Sequence, residues 1–391
     1  MKGAVFGLPI PGDDSLPRKD DPLTFRQRLR FSDRTTPVHS MLSRLTTCLL
    51  AAGLALTALA GPLAAEERPA KELFGAKRLP ARMAASPYGS YAKGCIAGAV
   101  AIPTDGPSWQ AMRLSRNRRW GHPDMIALIE QFSQDAQKLG WPGLLLGDIS
   151  QPRGGPMLSG HASHQVGLDA DIWFTPMPDR RLSAEEREKL PFTSMLDKSK
   201  FLTVDSRRWT STHARLVMKA ASYPQVERVF VNPAIKKKLC ETWQGDRALL
   251  GKVRPIYGHD EHFHIRIKCP EGAAGCKPQA RVPAGDGCDQ SLAWWFTKEP
   301  WAKPTPKKDA KPVKPRYVKL SDLPNACSTV LASASPASEQ EVTYQGNGGV
   351  SSTALAFSGG GESPAASIES VIAADTLLPA IVPIPIPRPF Q

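Results

Sequence analysis

The sequence predicts an α+β fold, in which short helices and short strands follow one another without regular βαβ repetition. Two observations support this. Between Tyr88 and Cys327 the spacing of apolar residues changes repeatedly between the helical period and the strand period, with turn residues in between. In addition, two of the strand-like stretches alternate strictly between polar and apolar residues, which is typical of strands with one buried face.

Helices are predicted at three places. The clearest runs from Pro123 to Leu139, because proline stands in its first turn, Gly140 follows its end and apolar residues recur on one face. A second is expected over residues 210–222. A third begins after Asn232-Pro233, which supplies an N-cap, and ends near Cys240.

Four strands are predicted. Leu144 to Leu146 and Arg228 to Val231 are short apolar runs typical of buried strands. The stretches 169–174 and 262–267 have polar and apolar faces. On the first, Asp169, Asp171 and Trp173 point the same way; on the second, His262, His264 and Arg266 do.

The two ends of the 391-residue chain differ in composition from its middle. An apolar run from Leu45 to Ala60 ends in an A-x-A signal and is too short for a membrane anchor, which predicts a secretory signal within residues 1–65 and a start at Met41. Residues 331–391 are rich in Ser, Gly, Ala and Pro and are predicted to be a disordered tail. One domain, 66–330, remains.

Removal of the signal leaves an even number of cysteines. Export to an oxidising compartment favours disulfides, whose pairing the spacing leaves open, and no C-x2-4-C pair favours a cysteine zinc site. The six are Cys95, Cys240, Cys269, Cys276, Cys288 and Cys327. The net charge of +13 would suit an anionic polymer. Export argues against nucleic acid, and much of the charge lies in a Pro-rich stretch, 303–319, that is typical of a solvated linker.

Five of the eight histidines fall within two short segments, 160–171 and 258–264, together with carboxylates. If the strands that contain Asp171 and His264 pair, a carboxylate and two imidazoles meet on one surface, and His164 from the preceding loop completes a metal site. Three N/O ligands with a fourth position left for water are typical of a catalytic zinc centre.

The motifs H-x6-D at His164 to Asp171 and H-x-H at His262 to His264 resemble the LAS group of peptidoglycan peptidases. The longer strings GDISQPRGGP, SGHASHQVGLDADIWF and VFVNPAIKKKLC resemble one branch of it, the penicillin-insensitive murein endopeptidases. The resemblance covers roughly residues 80–327. It implies a small antiparallel sheet that carries the site, surrounded by helices and disulfide-tied loops.

The resemblance also implies one zinc ion held by His164, Asp171 and His264, and hydrolysis of the D-alanyl to meso-diaminopimelyl cross-link in the periplasm. His161 and His259 match further histidines of the family; His161 is either a ligand or a neighbour of ligand or substrate, and His259 is a neighbour of ligand or substrate. The implied disulfides are Cys95 with Cys327, Cys240 with Cys288, and Cys269 with Cys276. An Asp-x-x-His pair found in some relatives is missing from 196–203, so a second metal ion is not expected.

Roles in proton transfer and substrate binding are also predicted. His262 lies beside His264 on the same face and is the first candidate for general base and acid, with His161 and His259 as second choices. Arg153 is a candidate for binding a stem-peptide carboxylate through its guanidinium fork.

Three rival functions are considered. A serine enzyme is suggested by Ser90-Tyr91-Ala92-Lys93, which matches S-x-x-K, but the accompanying S-D-N and K-T-G elements are absent. The same zinc chemistry could instead trim D-alanyl-D-alanine ends, as a carboxypeptidase. A metal-bearing module that binds the cell wall without catalysis is the third. The partner expected in each case is peptidoglycan, without a stable membrane anchor.

Overall fold

The computed structural model describes residues 68–303 and 317–346. These residues belong to the unit 67–391. The predicted secretory signal and the start at Met41 lie outside the described residues, as does the stretch 304–316 of the predicted linker. In the part of the chain that is described, no helix combines the length and apolar character that crossing a bilayer requires.

Helices and short strands alternate along the described residues. The strands are β1 Ser86–Ser90, β2 Lys93–Ala97, β3 Val100–Ala101, β4 Trp109–Ala111, β5 Trp120–Gly121, β6 Leu144–Leu146, β7 Asp169–Trp173, β8 Val226–Val231, β9 Val253–Pro255 and β10 His262–Ile267. The α-helices are α1 Ala70–Gly75, α2 Pro123–Lys138, α3 Ala184–Lys189, α4 Ser211–Ser222, α5 Pro233–Thr242, α6 Gln290–Ala293 and α7 Ala326–Ala332. The three predicted helices and four predicted strands are confirmed, with small shifts at their ends.

A six-stranded sheet forms the centre of the fold, in the order β4-β6-β7-β10-β8-β9. Its four inner strands pair antiparallel, which agrees with the expected small antiparallel sheet. The two outer pairs, β4 with β6 and β8 with β9, are parallel and were not predicted. Each parallel pair is connected through a helix, α2 between β4 and β6 and α5 between β8 and β9. Because these two connections lie at the edges and the four inner strands pair antiparallel, the α+β prediction holds.

The apolar faces of β7 and β10 form the core together with α2. Ile172 and Phe263 are fully buried, and they face each other in the β7–β10 register. Phe132 of α2 packs edge-on to Phe263, with ring centroids 6.2 Å apart. Burial of one face against the helix leaves the opposite, polar face of the two strands free to build a site.

Three disulfides tie loops to this framework, and their pairing confirms what the resemblance implied. Cys95–Cys327 joins β2 to α7, Cys240–Cys288 joins the end of α5 to a loop, and Cys269–Cys276 closes the loop after β10. The last two flank β8 and β10 and limit the movement of the loops around the sheet.

The domain extends past the predicted boundary at residue 330. In the described part of the predicted tail, 331–346, Tyr344 is 3% exposed and its amide donates to the carbonyl of Ala101. Arg119 forms an ion pair with Glu339. The prediction of a disordered tail is therefore wrong for 331–346, because a few aromatic and charged residues there bind the domain despite a composition poor in apolar residues. Residues 347–391 lie outside the described residues.

Candidate metal centre

The pairing of β7 with β10 places the predicted site residues on one surface. The register sets His264 opposite Asp171, Arg266 opposite Asp169 and His262 opposite Trp173. Side chains alternate along a strand, so all six point to the same face of the sheet. The proposed pairing of the two strands is confirmed.

The carboxylate of Asp171 lies at the centre of the cluster. Its Oδ1 atom is 3.3 Å from Nε2 of His164, 3.7 Å from Nδ1 of His264 and 3.7 Å from Nε2 of His262. Among the described residues, Asp171 Oδ1, His164 Nε2 and His262 Nε2 are buried and have no hydrogen-bond partner. Unsatisfied buried polar atoms are costly, so their convergence fits a site that is completed by a metal ion at His164 and Asp171 and by a water molecule or substrate group at His262.

His164 is fixed so that its Nε2 atom faces this point. It lies in the loop before β7 with φ of 66°, an uncommon left-handed conformation for a residue other than glycine. Its amide donates to Oδ2 of Asp169, and its Nδ1 is 2.6 Å from the carbonyl oxygen of Ile149. With Nδ1 donating to that carbonyl, Nε2 carries the lone pair that a metal requires.

His264 is fixed in the opposite sense, with Nδ1 towards Asp171. Its Nε2 lies 2.8 Å from Oδ1 of Asp169. Asp169 is itself held by two guanidinium nitrogens of Arg266, at 2.6 and 3.1 Å. A carboxylate that orients a histidine in this way is typical of the shell around metal ligands. The sequence interpretation did not assign this role to Asp169 or Arg266, although both stand on the predicted polar faces.

His161 occupies the solvent side of the cluster. Its Nε2 is 3.0 Å from Oδ2 of Asp148 and 3.5 Å from Oδ2 of Asp171, and its side chain is 21% exposed. One donor atom each from His161, His164 and Asp171 lie within 4.8 Å of one another. This set contains His161 where the sequence prediction has His264. We favour His264, because its Nδ1 faces the site while its other nitrogen is occupied, whereas the Nε2 of His161 already binds Asp148.

The other two candidate proton carriers, His262 and His259, lie beside the candidate ligands. His262 Nε2 faces Asp171, and the side chain of His262 is 21% exposed. His259 stands in a left-handed conformation with φ of 55°, with Nδ1 2.8 Å from the carbonyl oxygen of Tyr257. Its ring lies 4.9 Å from that of His262, between centroids. His262 therefore reaches the centre directly, and His259 is one ring further away.

Burial and charge set the protonation of the cluster. Burial alone would raise the pKa of Asp171, but the nearby imidazoles, led by His164, hold it well below its usual value. Burial lowers the pKa of His262, and it lowers that of His264 to about 4 and that of His259 to about 3. Burial opposes protonation of His164 too, but the charge of Asp171 outweighs it and raises that pKa to about 9. A divalent cation binds the form with an ionised carboxylate and neutral imidazoles, so its binding would release the proton that the charge of Asp171 favours on His164.

Arg153 does not contribute to this centre, and its prediction as a carboxylate-binding group is wrong. Its side chain is 1% exposed. Its Nη1 donates to the carbonyl oxygens of Val330, Leu331 and Ser333 at 2.7–2.9 Å. The guanidinium therefore caps the end of α7 inside the protein, where no substrate reaches it. Arginine in a motif can serve either purpose, and the sequence alone did not separate them.

The serine alternative finds no support in the local structure. Ser90 and Lys93 pair across the turn between β1 and β2, and Tyr91 within that turn donates its hydroxyl to the carbonyl of Ile267. Among the hydrogen bonds and ion pairs of the described residues, none joins Ser90 to a histidine or carboxylate that would activate it.

Comparison with known proteins gives a consistent result. Residues 87–332 match the family model described as penicillin-insensitive murein endopeptidase. A curated protein of that name from Haemophilus influenzae is 50% identical over 214 residues, which cover 54% of this chain and 73% of the relative. One from Klebsiella pneumoniae is 39% identical over 270 residues, covering 69% and 96%, and one from Salmonella heidelberg is 40% identical over 248 residues, covering 63% and 86%.

Proposed function

Because the chain belongs to the penicillin-insensitive murein endopeptidase family, we propose that it is an exported zinc peptidase that hydrolyses the D-alanyl to meso-diaminopimelyl cross-links of peptidoglycan. The observation that carries the proposal is the convergence of buried, unpartnered donor atoms on Asp171 Oδ1. The three disulfides fit a protein that acts in an oxidising compartment such as the periplasm.

One zinc ion would be held by Nε2 of His164, a carboxylate oxygen of Asp171 and Nδ1 of His264, with His161 as a neighbour. In such a site zinc supplies a Lewis acid for the scissile carbonyl and lowers the pKa of a water molecule to about 7. Asp169 holds the imidazole of His264 in the tautomer whose Nδ1 is unprotonated, and Ile149 does the same for Nε2 of His164.

His262 is the proposed proton carrier. Its Nε2 atom is buried beside Asp171 without a hydrogen-bond partner among the described residues, so the nitrogen is available to a water or a substrate amine. As a neutral imidazole it accepts the proton of the attacking water and then donates it to the amine of the leaving diaminopimelate. No acyl-enzyme forms on the protein, which accounts for the expected insensitivity to β-lactams.

Product analysis distinguishes this function from its rivals. Purified peptidoglycan is digested with the full chain and zinc, and the released muropeptides are separated. Loss of cross-linked dimers supports the endopeptidase. Shortened stems with intact cross-links would instead show the carboxypeptidase, and an unchanged profile would show a wall-binding module without catalysis.

The role of His262 is tested by His262→Ala. The variant should keep its zinc and lose most of its turnover, since a positioned proton carrier contributes about 10²–10⁴-fold. Zinc content, melting temperature and turnover are measured on one preparation. His213→Ala is the matched control, because His213 is also a buried histidine, but it caps α4 through Thr210. A zinc-loaded His262→Ala with normal turnover would move the role to His161 or His259.

A further inference from the structure

A cavity of about 390 Å³ is lined by cations, two of which connect to the candidate metal centre through Asp148. Four of its residues are basic, Lys77, Arg78, Arg116 and Arg118, and none is acidic. The others include Leu158, which is 54% exposed, and small polar residues such as Ser159. A concave surface lined by one sign of charge attracts ligands of the opposite sign.

The cavity is joined to the centre through Asp148. Oδ2 of Asp148 accepts from Nη1 of Arg116 at 3.1 Å and from Nη1 of Arg118 at 2.8 Å, and the same oxygen lies 3.0 Å from Nε2 of His161. His161 in turn is 3.5 Å from Asp171. A peptide whose scissile bond lies at Asp171 therefore reaches the cationic cavity within about two to three extended residues.

The positive charge of the cavity exceeds what its neighbours neutralise. Asp148 binds both Arg116 and Arg118, and Glu188 accepts two hydrogen bonds from Ser115 at the rim. Lys77 and Arg78 have no ion pair within 68–303 and 317–346. The Arg116 side chain is 40% exposed, and Asp148 is its one hydrogen-bond acceptor within these residues. Three basic side chains therefore have donors free for a ligand.

We propose that this cavity, lined by Lys77, Arg78, Arg116 and Arg118, is a subsite for a free carboxylate of the peptide substrate, a few residues from the scissile bond. The inference rests on the proposed function, because that function supplies the peptide. Stem peptides contain carboxylates at the diaminopimelate and at the carboxyl-terminal D-alanine. Guanidinium and ammonium groups bind carboxylates by charge-assisted hydrogen bonds. The subsite would favour a peptide with a free carboxylate over the same peptide with its carboxylate blocked.

The test crosses a protein change with a substrate change. Lys77→Gln/Arg78→Gln removes two cations that touch neither Asp148 nor the metal ligands. The substrates are a cross-linked muropeptide dimer and the same dimer with its carboxylates converted to primary amides. The control variant, Lys198→Gln/Arg207→Gln, removes the same charge from exposed residues of a second cavity, in which Asp197 and Asp205 offset the cations.

The subsite predicts that Lys77→Gln/Arg78→Gln raises KM for the dimer about three- to tenfold, as expected for two partly exposed ion pairs, with kcat unchanged. The amidated dimer should have the raised KM already in the wild type and show no further change in the variant. The control should leave KM unchanged. Singly amidated dimers then identify which carboxylate is bound.

Equal KM values for the two substrates in the wild type would overturn the subsite, and so would an equal loss in the control variant. Neither result affects the proposed function, which fails instead if the wild type does not cleave the dimer at all. Calorimetric binding of both dimers to the metal-free protein repeats the comparison without turnover, and melting temperatures verify that both variants fold.

Discussion

Asp169 is the residue whose replacement most directly tests how the ligands are oriented. It is fully buried and accepts four hydrogen bonds, two from Arg266, one from His264 and one from the amide of His164. Asp169→Asn keeps the shape but removes the charge and replaces one acceptor oxygen with an NH₂ donor. That donor must face a guanidinium, an imidazole or an amide that already donates. The substitution therefore leaves Arg266 as a buried cation without its counter-charge.

Two magnitudes follow. Loss of one partner from a buried ion pair lowers the free energy of unfolding by about 3–5 kcal/mol. Loss of the group that orients a metal-bound histidine lowers metal affinity about 10–100-fold. The charges of Arg266 and His264 hold the pKa of Asp169 far below its usual value, although burial alone would raise it. The ionised carboxylate of Asp169 therefore stabilises the fold above its pKa in the unfolded chain, about 3.9, and this contribution is lost as the pH falls below that value. On acidification Asp169→Asn should lose less stability than the wild type does.

The assays are urea unfolding of the metal-free protein and zinc titration against a competing chelator. Asp135→Asn is the control, because Asp135 on α2 is also a carboxylate bound by several partners, among them Lys219 and Tyr223. It should lower stability and leave zinc affinity unchanged. If Asp169→Asn lowers stability to a similar degree but binds zinc as tightly as the wild type, the orienting role of Asp169 is wrong.

Three further predictions concern parts of the chain away from the ligands. Arg153→Met should lower the free energy of unfolding by at least about 1–3 kcal/mol, because buried carbonyl oxygens at the end of α7 lose their donor, and turnover per folded molecule should stay normal. An increase in KM on a fully stable protein would restore Arg153 as a substrate group. Truncation after Ser335 should lower the melting temperature, because it removes the buried Tyr344, and an unchanged melting temperature would place the boundary back near residue 330. Burial lowers the pKa of Lys236 to about 8 in the folded protein, whereas it is about 10.4 in the unfolded chain. Between these two pH values the unfolded chain binds more protons than the folded protein, so the free energy of unfolding should rise with pH across that window. Unfolding of Lys236→Met at several pH values tests this, since the variant should lack that rise.

The strand pattern predicted the centre of the site well. Alternation of polar and apolar residues over 169–174 and 262–267 determined which side chains share a face, and the observed register sets His264 opposite Asp171. Helix α2 could be predicted equally well, because the proline in its first turn and its apolar face are local signals. These features follow from short-range geometry that a sequence contains directly.

Other features depend on contacts that are distant in sequence. Two of the four hydrogen bonds of Asp169 come from Arg266, 97 residues away, and three of the carbonyls that bind Arg153 belong to residues more than 170 positions away. The parallel outer strands of the sheet and the binding of Tyr344 to the domain also depend on contacts between residues that are far apart in sequence. Spacing within a motif carries no information about such partners, which explains why Arg153 was assigned to the substrate and Asp169 to no role.

The central claim is that zinc bound at His164, Asp171 and His264 is required to hydrolyse the cross-link. The most direct measurement follows release of the diaminopimelate amine from a cross-linked muropeptide dimer, with the full chain and an excess of penicillin. Activity should disappear on treatment with a chelator and return when zinc is added, with penicillin without effect. Activity that survives in protein shown to be free of metal, or that penicillin abolishes, would contradict the account.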